Sequence, residues 1–288
     1  MTAMLDPRLL RTFVAIVDNA SFTVAADRLN STQSTVSQQL GRLEAVVGHR
    51  LVDRSSSPIA PTPAGERLFG YARRLLALQA EAKMLLSDPA GTATIRIGVP
   101  DDIVTPAMSR QFANFSARHR EIRLDVTTGL SRDISKRFRD GEFDIAIVKE
   151  ASAAGDVRAT FPEPLAWFEA SGMPEGDWPE PIPLVTFPPG GLYRDLMIER
   201  IEREHRRWYI AFTGNSLGSV LSAVEAGLGV SVLPVSVTRA HSVRASALFT
   251  GEASLCLSVY AWESGGAIGE LVEAMTSVLS ERDATTLS

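Results

Sequence analysis

The chain is poor in cysteine and histidine and has no long apolar run, and each shortage closes off a class of function. One cysteine in 288 residues, Cys256, excludes an internal disulfide. The start of the chain carries no basic stretch followed by an apolar segment and a small-residue cleavage site, so a reducing cytoplasm is the expected compartment. No stretch approaches the ~18 to 20 apolar residues that cross a bilayer, and no membrane partner is expected. His49, His119, His205 and His241 share no metal-ligand spacing, and Gly227-Leu228-Gly229 lacks the further glycine of a dinucleotide loop. With no nucleophile and base in a recognisable pattern, neither an enzyme nor a cofactor is expected. Cys256 sits in the apolar extended run Leu255 to Tyr260, where a buried, inert thiol is expected rather than a redox sensor.

What is present is enough apolar material, 45% of the residues, for two or three cores. The net charge of −5 argues against a protein that coats nucleic acid, but it is unevenly spread. Residues 1–90 hold ten Lys and Arg against eight Asp and Glu, while the rest hold 19 against 26. That polarity fits a slightly basic head on an acidic body.

Asp6 is a good helix cap with Pro7 behind it, and Leu9, Leu10, Phe13, Ile16 and Val17 follow at helical spacing. Ser21 caps a short second helix whose inward face is Ala25, Ala26 and Leu29. After Asn30-Ser31-Thr32 a third helix runs from about Gln33 to Val47, with Val36, Leu40, Leu43 and Val47 inward. Its outer face offers Gln33, Ser34, Thr35, Ser37, Gln38, Gln39 and Arg42. A solvated helix face usually carries Glu and Lys. Uncharged hydrogen-bonding groups followed by a guanidinium suit base edges and phosphates in a major groove. Thr23, Ser31 and Thr32 flank that face and join it as candidate DNA contacts. Leu51 to Arg54 and Ser55 to Pro61 read as two short extended arms, a wing. Arg54 at its base is placed for a phosphate or the minor groove, the alternative being an ion pair with Asp53 or Glu44.

Together, Leu10-Arg11-Thr12-Phe13, Ser21-Phe22-Thr23-Val24-Ala25-Ala26, Gln33-Ser34-Thr35-Val36-Ser37, Arg42-Leu43-Glu44, Gly48, Leu51, Arg54 and Thr62-Pro63-Ala64-Gly65 resemble the DNA-binding head of LysR-type transcription regulators. The resemblance implies a homodimer or tetramer that places paired recognition helices in successive major grooves of promoter DNA. It also implies a C-terminal domain that binds a small-molecule effector, with RNA polymerase as a further partner. The wing departs from the commoner pattern, having Ser55-Ser56-Ser57-Pro58 where a basic arm is usual, and Pro61 stands where an aliphatic residue is more usual.

From Pro63 to about Ser87 a helix carries Leu68, Ala72, Leu75, Gln79, Ala82 and Leu86 at spacings of 4 and 3, a heptad seam expected to pair two copies rather than pack on its own domain. Pro89-Ala90-Gly91-Thr92 reads as a hinge. The expected division is therefore a winged helix-turn-helix over 1–62, a pairing helix and hinge over 63–92, and an effector-binding α/β domain over 93–288.

In that domain strand and helix patterns alternate, which argues for parallel strands covered by helices: Thr94 to Val99 extended, Ile103 to Arg118 helical, Arg123 to Thr128 extended, Ser131 to Asp140 helical, Phe143 to Val148 extended. A second series runs from Glu163 to Leu233, and Leu255 to Trp262 returns to the first. This is the order of a two-lobed, periplasmic-binding-protein-like fold, with lobe I at about 93–161 plus 254–288 and lobe II at about 162–253. Ligands lie beyond the carboxyl ends of strands in such sheets. The candidate effector contacts are Pro100, Asp101, Asp102, Gly129, Leu130, Ser131, Lys149 and Glu150 in the first lobe and Thr213, Asn215 and Ser216 in the second. Asp101 and Asp102 are expected to cap the following helix, or else to repel an anion or hold a cationic or hydroxylated ligand. Gly98-Val99-Pro100-Asp101-Asp102, Gly141 to Ala146 and Ala226 to Val230 resemble the LysR effector domain, the Pro-Asp-Asp run its LrhA-like branch. Two other readings stand beside this one: a solute-binding protein that shares the two-lobed fold, and a constitutive DNA-binding regulator that takes no ligand.

Overall fold

A computed structural model describes residues 5–87, 93–153, 156–173, 178–238, 241–249 and 253–286, in two compact units. The expected hinge at Pro89-Ala90-Gly91-Thr92 lies outside the described residues. None of the described helices is long and apolar enough to cross a membrane.

The first unit opens with α1 (Pro7–Asn19), α2 (Phe22–Arg28) and α3 (Gln33–Val47), each started by the cap its sequence offers. The side chains of Asp6, Ser21 and Thr32 accept from the backbone N–H groups of Arg8, Val24 and Thr35. Ala20 and Asn30 take positive φ between the helices and turn the chain sharply. Leu10, Phe13, Ile16, Val36, Leu40 and Leu43 fill the centre, and the small Ala25 and Ala26 let α2 approach closely. The wing is a short hairpin of β1 (Val52–Asp53) and β2 (Ala60–Pro61), antiparallel with Val52 opposite Pro61.

The 25-residue α4 (Pro63–Ser87) starts hard against this hairpin. Thr62 donates its N–H to the Leu51 carbonyl at 3.0 Å and its hydroxyl to the Arg50 carbonyl at 2.7 Å, while its Oγ1 accepts from Gly65 N–H at 3.1 Å. A Cβ on Gly65 would stand 1.9 Å from the Leu51 carbonyl oxygen, so only glycine permits this approach. Gly65→Ala is accordingly expected to destabilise the first unit by about 1–3 kcal/mol. All four tryptophans (Trp167, Trp178, Trp208, Trp262) belong to the second unit. The effect should therefore appear as an earlier urea transition in circular dichroism with tryptophan fluorescence unchanged.

The helix α4 carries two apolar stripes. Leu68, Phe69 and Leu76 pack on the first unit's own core and Ala72 lies inside it, so the seam predicted through Leu68 and Ala72 is, over its first half, an intramolecular contact. The stripe that faces outward is Tyr71, Leu75 and Leu78, at 52%, 45% and 38% exposure.

After α4 come β3 (Ala93–Val99), α5 (Pro106–Arg118), β4 (Ile122–Thr128), α6 (Ser131–Arg139), β5 (Ile145–Glu150), β6 (Ala159–Ala170), β7 (Ile182–Thr186), α7 (Leu192–Arg203), β8 (Trp208–Thr213), α8 (Leu217–Glu225), β9 (Ser231–Pro234), α9 (Val235–Thr238), β10 (Val243–Ala245), β11 (Ala253–Ala261) and α10 (Gly266–Thr286), which make up the second unit except that Ala93 and Lys136–Glu142 group with the first. One sheet runs β10-β6-β11-β5-β3-β4 with β9 also on β6, while β7 and β8 form a separate parallel pair. The parallel pairing expected from alternation holds between β3 and β5, but β11 is antiparallel to both β5 and β6, making the sheet mixed.

Two cores result. Ile97, Val99, Phe115, Ile147, Leu257, Val259 and Leu271 belong to one, and Leu165, Leu184, Met197, Val220, Val232 and Leu255 to the other. The strands β6 and β11 pass through both, paired to each other from Ala159 with Val259 to Leu165 with Ala253. They are the two crossings between lobes. The sequence reading assigns no element to the last 21 helical residues, α10, whose Ile268, Leu271, Val272, Met275 and Leu279 close the first core at helical spacing.

The helix predicted from Ile103 begins later. A 3-10 turn occupies Asp101–Ile103, and α5 starts at Pro106 with Thr105 as its cap. Neither Asp101 nor Asp102 caps it, because Thr105-Pro106 supplies both a hydroxyl acceptor and a fixed φ. Cys256 is half-buried rather than buried, its backbone lying opposite Glu150 and Pro162.

Candidate functional site

Two sites follow from this architecture, one in each unit. On α3 the inward residues Val36, Leu40 and Leu43 fix the rotation of the helix, so Gln33, Ser34, Thr35, Gln38 and Arg42 are held outward and exposed. Their freedom differs. Thr32 is occupied as the cap, and its hydroxyl also meets those of Ser34 and Thr35, each at 2.9 Å. Gln39, read from sequence as part of the outer face, turns inward, where its Oε1 accepts from the Thr12 hydroxyl on α1. Gln33, Gln38 and Arg42 make no side-chain hydrogen bond or ion pair among the described residues, leaving Gln38 and Arg42, one turn apart, on one face and Gln33 exposed at the first turn. Thr23 on α2 is exposed and Ser31 half-buried beside them.

Arg54 lies at the base of the wing as expected and folds back on the head. It pairs with Glu44 at 3.6 Å, donates to the Ser37 hydroxyl at 3.3 Å and stands 5.5 Å from the centre of the Phe22 ring. Asp53 is not its partner, because that carboxylate accepts from the Ser55 N–H and hydroxyl, which hold its pKa down.

The second site is a cleft with about 460 Å³ of empty space, its open mouth included, within the second unit. One wall comes from strand ends of the first lobe: Pro100, Asp101 and Asp102 after β3, Gly129, Leu130 and Ser131 after β4, and Lys149 on β5. These are seven of the sequence candidates, and Arg132 at the start of α6 joins them. The opposite wall is Phe187, Gly190, Leu192, Tyr193 and Leu217. Thr213, Asn215 and Ser216 do not line the cleft. Ser216 instead caps α8 in a reciprocal pair with Ser219, which turns its hydroxyl toward the helix backbone. The missed wall had a signal, since Phe187-Pro188-Pro189-Gly190-Gly191 is a turn at the carboxyl end of one strand and just before a helix.

Three polar contacts join the walls. Asp101 Oδ2 accepts from the backbone N–H of Leu217, the first residue of α8, at 2.8 Å. Lys149 Nζ donates to the Tyr193 hydroxyl at 2.8 Å. At the rim Arg132 pairs with Asp195 of α7 at 2.8 Å. Asp101 is thus a helix cap after all, but of a helix 116 residues away.

Behind the cleft the charges are buried and matched. Lys149 meets Asp102 at 2.5 Å and Glu163 on β6 at 3.5 Å, and Arg282 of α10 meets the same two carboxylates at 3.1 and 3.0 Å. Arg282 also donates to the Ser236 hydroxyl on α9 at 2.7 Å. Burial pushes the Asp102 carboxyl up, but the Lys149 ammonium and the Arg282 guanidinium outweigh it and hold the group below the usual carboxylate range. Burial pulls the Lys149 ammonium down, and the carboxylate of Asp102 more than reverses this. The four groups carry two charges of each sign and tie the cleft floor to the crossing strand β6.

Comparison with known proteins places both units in one family. A model described as "LysR substrate binding domain" matches residues 90–282, and one described as "Bacterial regulatory helix-turn-helix protein, lysR family" matches residues 7–66. The chain is similar to the HTH-type transcriptional regulator PecT of Dickeya dadantii, with 30% identity over 80% of this chain and 73% of that one. It is also similar to the regulator DgdR of Burkholderia cepacia, with 28% identity over 80% and 78%. Its fold is that of full-length LysG from Corynebacterium glutamicum, solved with bound effector Arg, at 22% identity and a TM-score of 0.61 over 96% of this chain and 99% of that one. ArgP of Mycobacterium tuberculosis follows at 21% identity and 0.59, over 96% and 98%. With an exposed polar face on a capped third helix, a cleft between two lobes and both family models matched in order, the chain belongs to the LysR family of bacterial transcription regulators.

Proposed function

We propose that the chain works in the cytoplasm as a dimer or higher oligomer on promoter DNA, with 1–62 as the DNA-binding head, 63–92 as pairing helix and hinge, and 93–288 as the effector domain. In this reading Gln33, Gln38 and Arg42 contact base edges, and Thr23, Ser31, Thr32, Ser34, Thr35, Ser37 and Arg54 flank them on phosphates. A small molecule enters between the lobes at Pro100, Asp101, Asp102, Gly129, Leu130, Ser131 and Lys149. Its binding shifts the balance between open and closed lobes through the contacts that cross the cleft. That shift changes the geometry of the paired heads, and with it DNA bending and contact with RNA polymerase.

The observation that carries the DNA reading is that Gln33, Gln38 and Arg42 are exposed and without a side-chain partner among the described residues, on a helix whose apolar face is fixed in the core. Mobility shifts on the region upstream of the chain's own gene, at stated salt, test it. Gln33→Ala and Gln38→Ala should each weaken specific binding by about 5- to 150-fold, from ~1–3 kcal/mol per bidentate base contact, with binding to random DNA unchanged. Arg54→Ala should reduce both alike if it serves the backbone. Undiminished selectivity in both glutamine variants would remove α3 as the reading element. The cleft supports the effector reading over a constitutive regulator, and the DNA-reading face supports it over a solute-binding protein.

A further inference from the structure

Four charged side chains line the cleft, and three of them are matched by opposite charge. Lys149 is held by Asp102 and Glu163, Asp102 by Lys149 and Arg282, and Arg132 by Asp195. Asp101 differs. Its Oδ2 takes one backbone N–H, that of Leu217, and its Oδ1 has neither a hydrogen bond nor an ion pair among the described residues. The same cleft presents the carbon surfaces of Pro100, Leu130, Phe187 and Leu192 beside the hydroxyls of Ser131 and Tyr193. The one cleft charge without a charged partner among the described residues is therefore negative, on a side chain open to solvent and to a ligand.

An anionic ligand would face that carboxylate with no free cation to receive it. The N-terminus of α8, the natural alternative, already has the Asp101 carboxylate as its occupant. Charge complementarity selects the opposite sign. Building on the effector reading of the cleft, we infer that this regulator's effector is an amine: a small molecule whose ammonium or guanidinium group binds Asp101 Oδ1 while its carbon chain lies on the cleft's carbon surfaces. Because the same carboxylate bridges to Leu217 on the facing lobe, a cation at Oδ1 fixes the bridge in place and favours the closed cleft.

The full chain is tested by calorimetry and thermal shift at constant ionic strength against lysine, arginine, ornithine, agmatine, putrescine and spermidine, with succinate, citrate and benzoate as anions. At least one amine should bind and raise the melting temperature. Asp101→Asn keeps an acceptor for the Leu217 N–H but removes the charge, and should weaken that amine at least about ten-fold while melting like the wild type without ligand. Asp101→Glu, which keeps the charge, should retain more of the binding than Asp101→Asn and serves if the amide variant does not fold. Amine binding unchanged in Asp101→Asn overturns the assignment, as does binding of the anions alone, which leaves the cleft an effector site of the other charge. If no ligand of either charge binds while selective promoter binding persists, the effector reading falls with it.

Discussion

Lys149→Met lowers the stability of the second unit by about 3–5 kcal/mol, the usual result of removing one partner from a buried charge cluster. The side chains of Lys149, Asp102 and Glu163 are only 4%, 5% and 3% exposed, so water cannot replace the missing ammonium. Arg282 alone then faces two carboxylates. The pH dependence changes sign. In the wild type the Asp102 carboxyl lies below its ordinary value, so its contribution is present above the usual carboxylate range and is lost as the pH falls through the folded value. In the variant one carboxyl is stabilised by a proton instead, and the deficit grows as the pH rises. Urea unfolding followed by tryptophan fluorescence reads the second unit alone. Adding Glu163→Gln restores neutrality and should recover most of the loss, so a double-mutant cycle with no coupling would show that the cluster does not act as a unit.

That cluster is also where the sequence said least. Asp102 and Arg282 are 180 positions apart, and no local pattern links a carboxylate after the first strand to a guanidinium near the end of the last helix. The three helices of the head were legible because their caps and apolar spacing are local: Asp6, Ser21 and Thr32 each bond within three residues. Strand ends named one wall of the cleft correctly, since topology places them together, but the second wall hangs on a turn, Phe187 to Gly191, whose side chains meet the first lobe only in three dimensions. Asp101 illustrates the limit of local reading. Its sequence position suggested a cap for the next helix, whereas Thr105-Pro106 won that role and left the carboxylate to α8.

The same limit applies to α4, and it sets the last expectation. A helix with two apolar stripes has two candidate seams, and only packing tells which is occupied: Leu68 and Ala72 belong to the head's own core, leaving Tyr71, Leu75 and Leu78 at intervals of 4 and 3 facing outward. The double substitution Leu75→Glu with Leu78→Glu puts charges in the second stripe without touching the first. It should convert the oligomer to monomers in sedimentation and lower promoter affinity by about 10²–10⁴-fold, because a second head then binds from bulk solution rather than from a tethered position. Binding to a single half-site should be unaffected, and tryptophan fluorescence should report an intact second unit. Leu68→Glu ought to behave differently and unfold the head, losing half-site binding as well. A double variant that still sediments as the wild type and keeps full promoter affinity would show that copies of this chain pair through another surface.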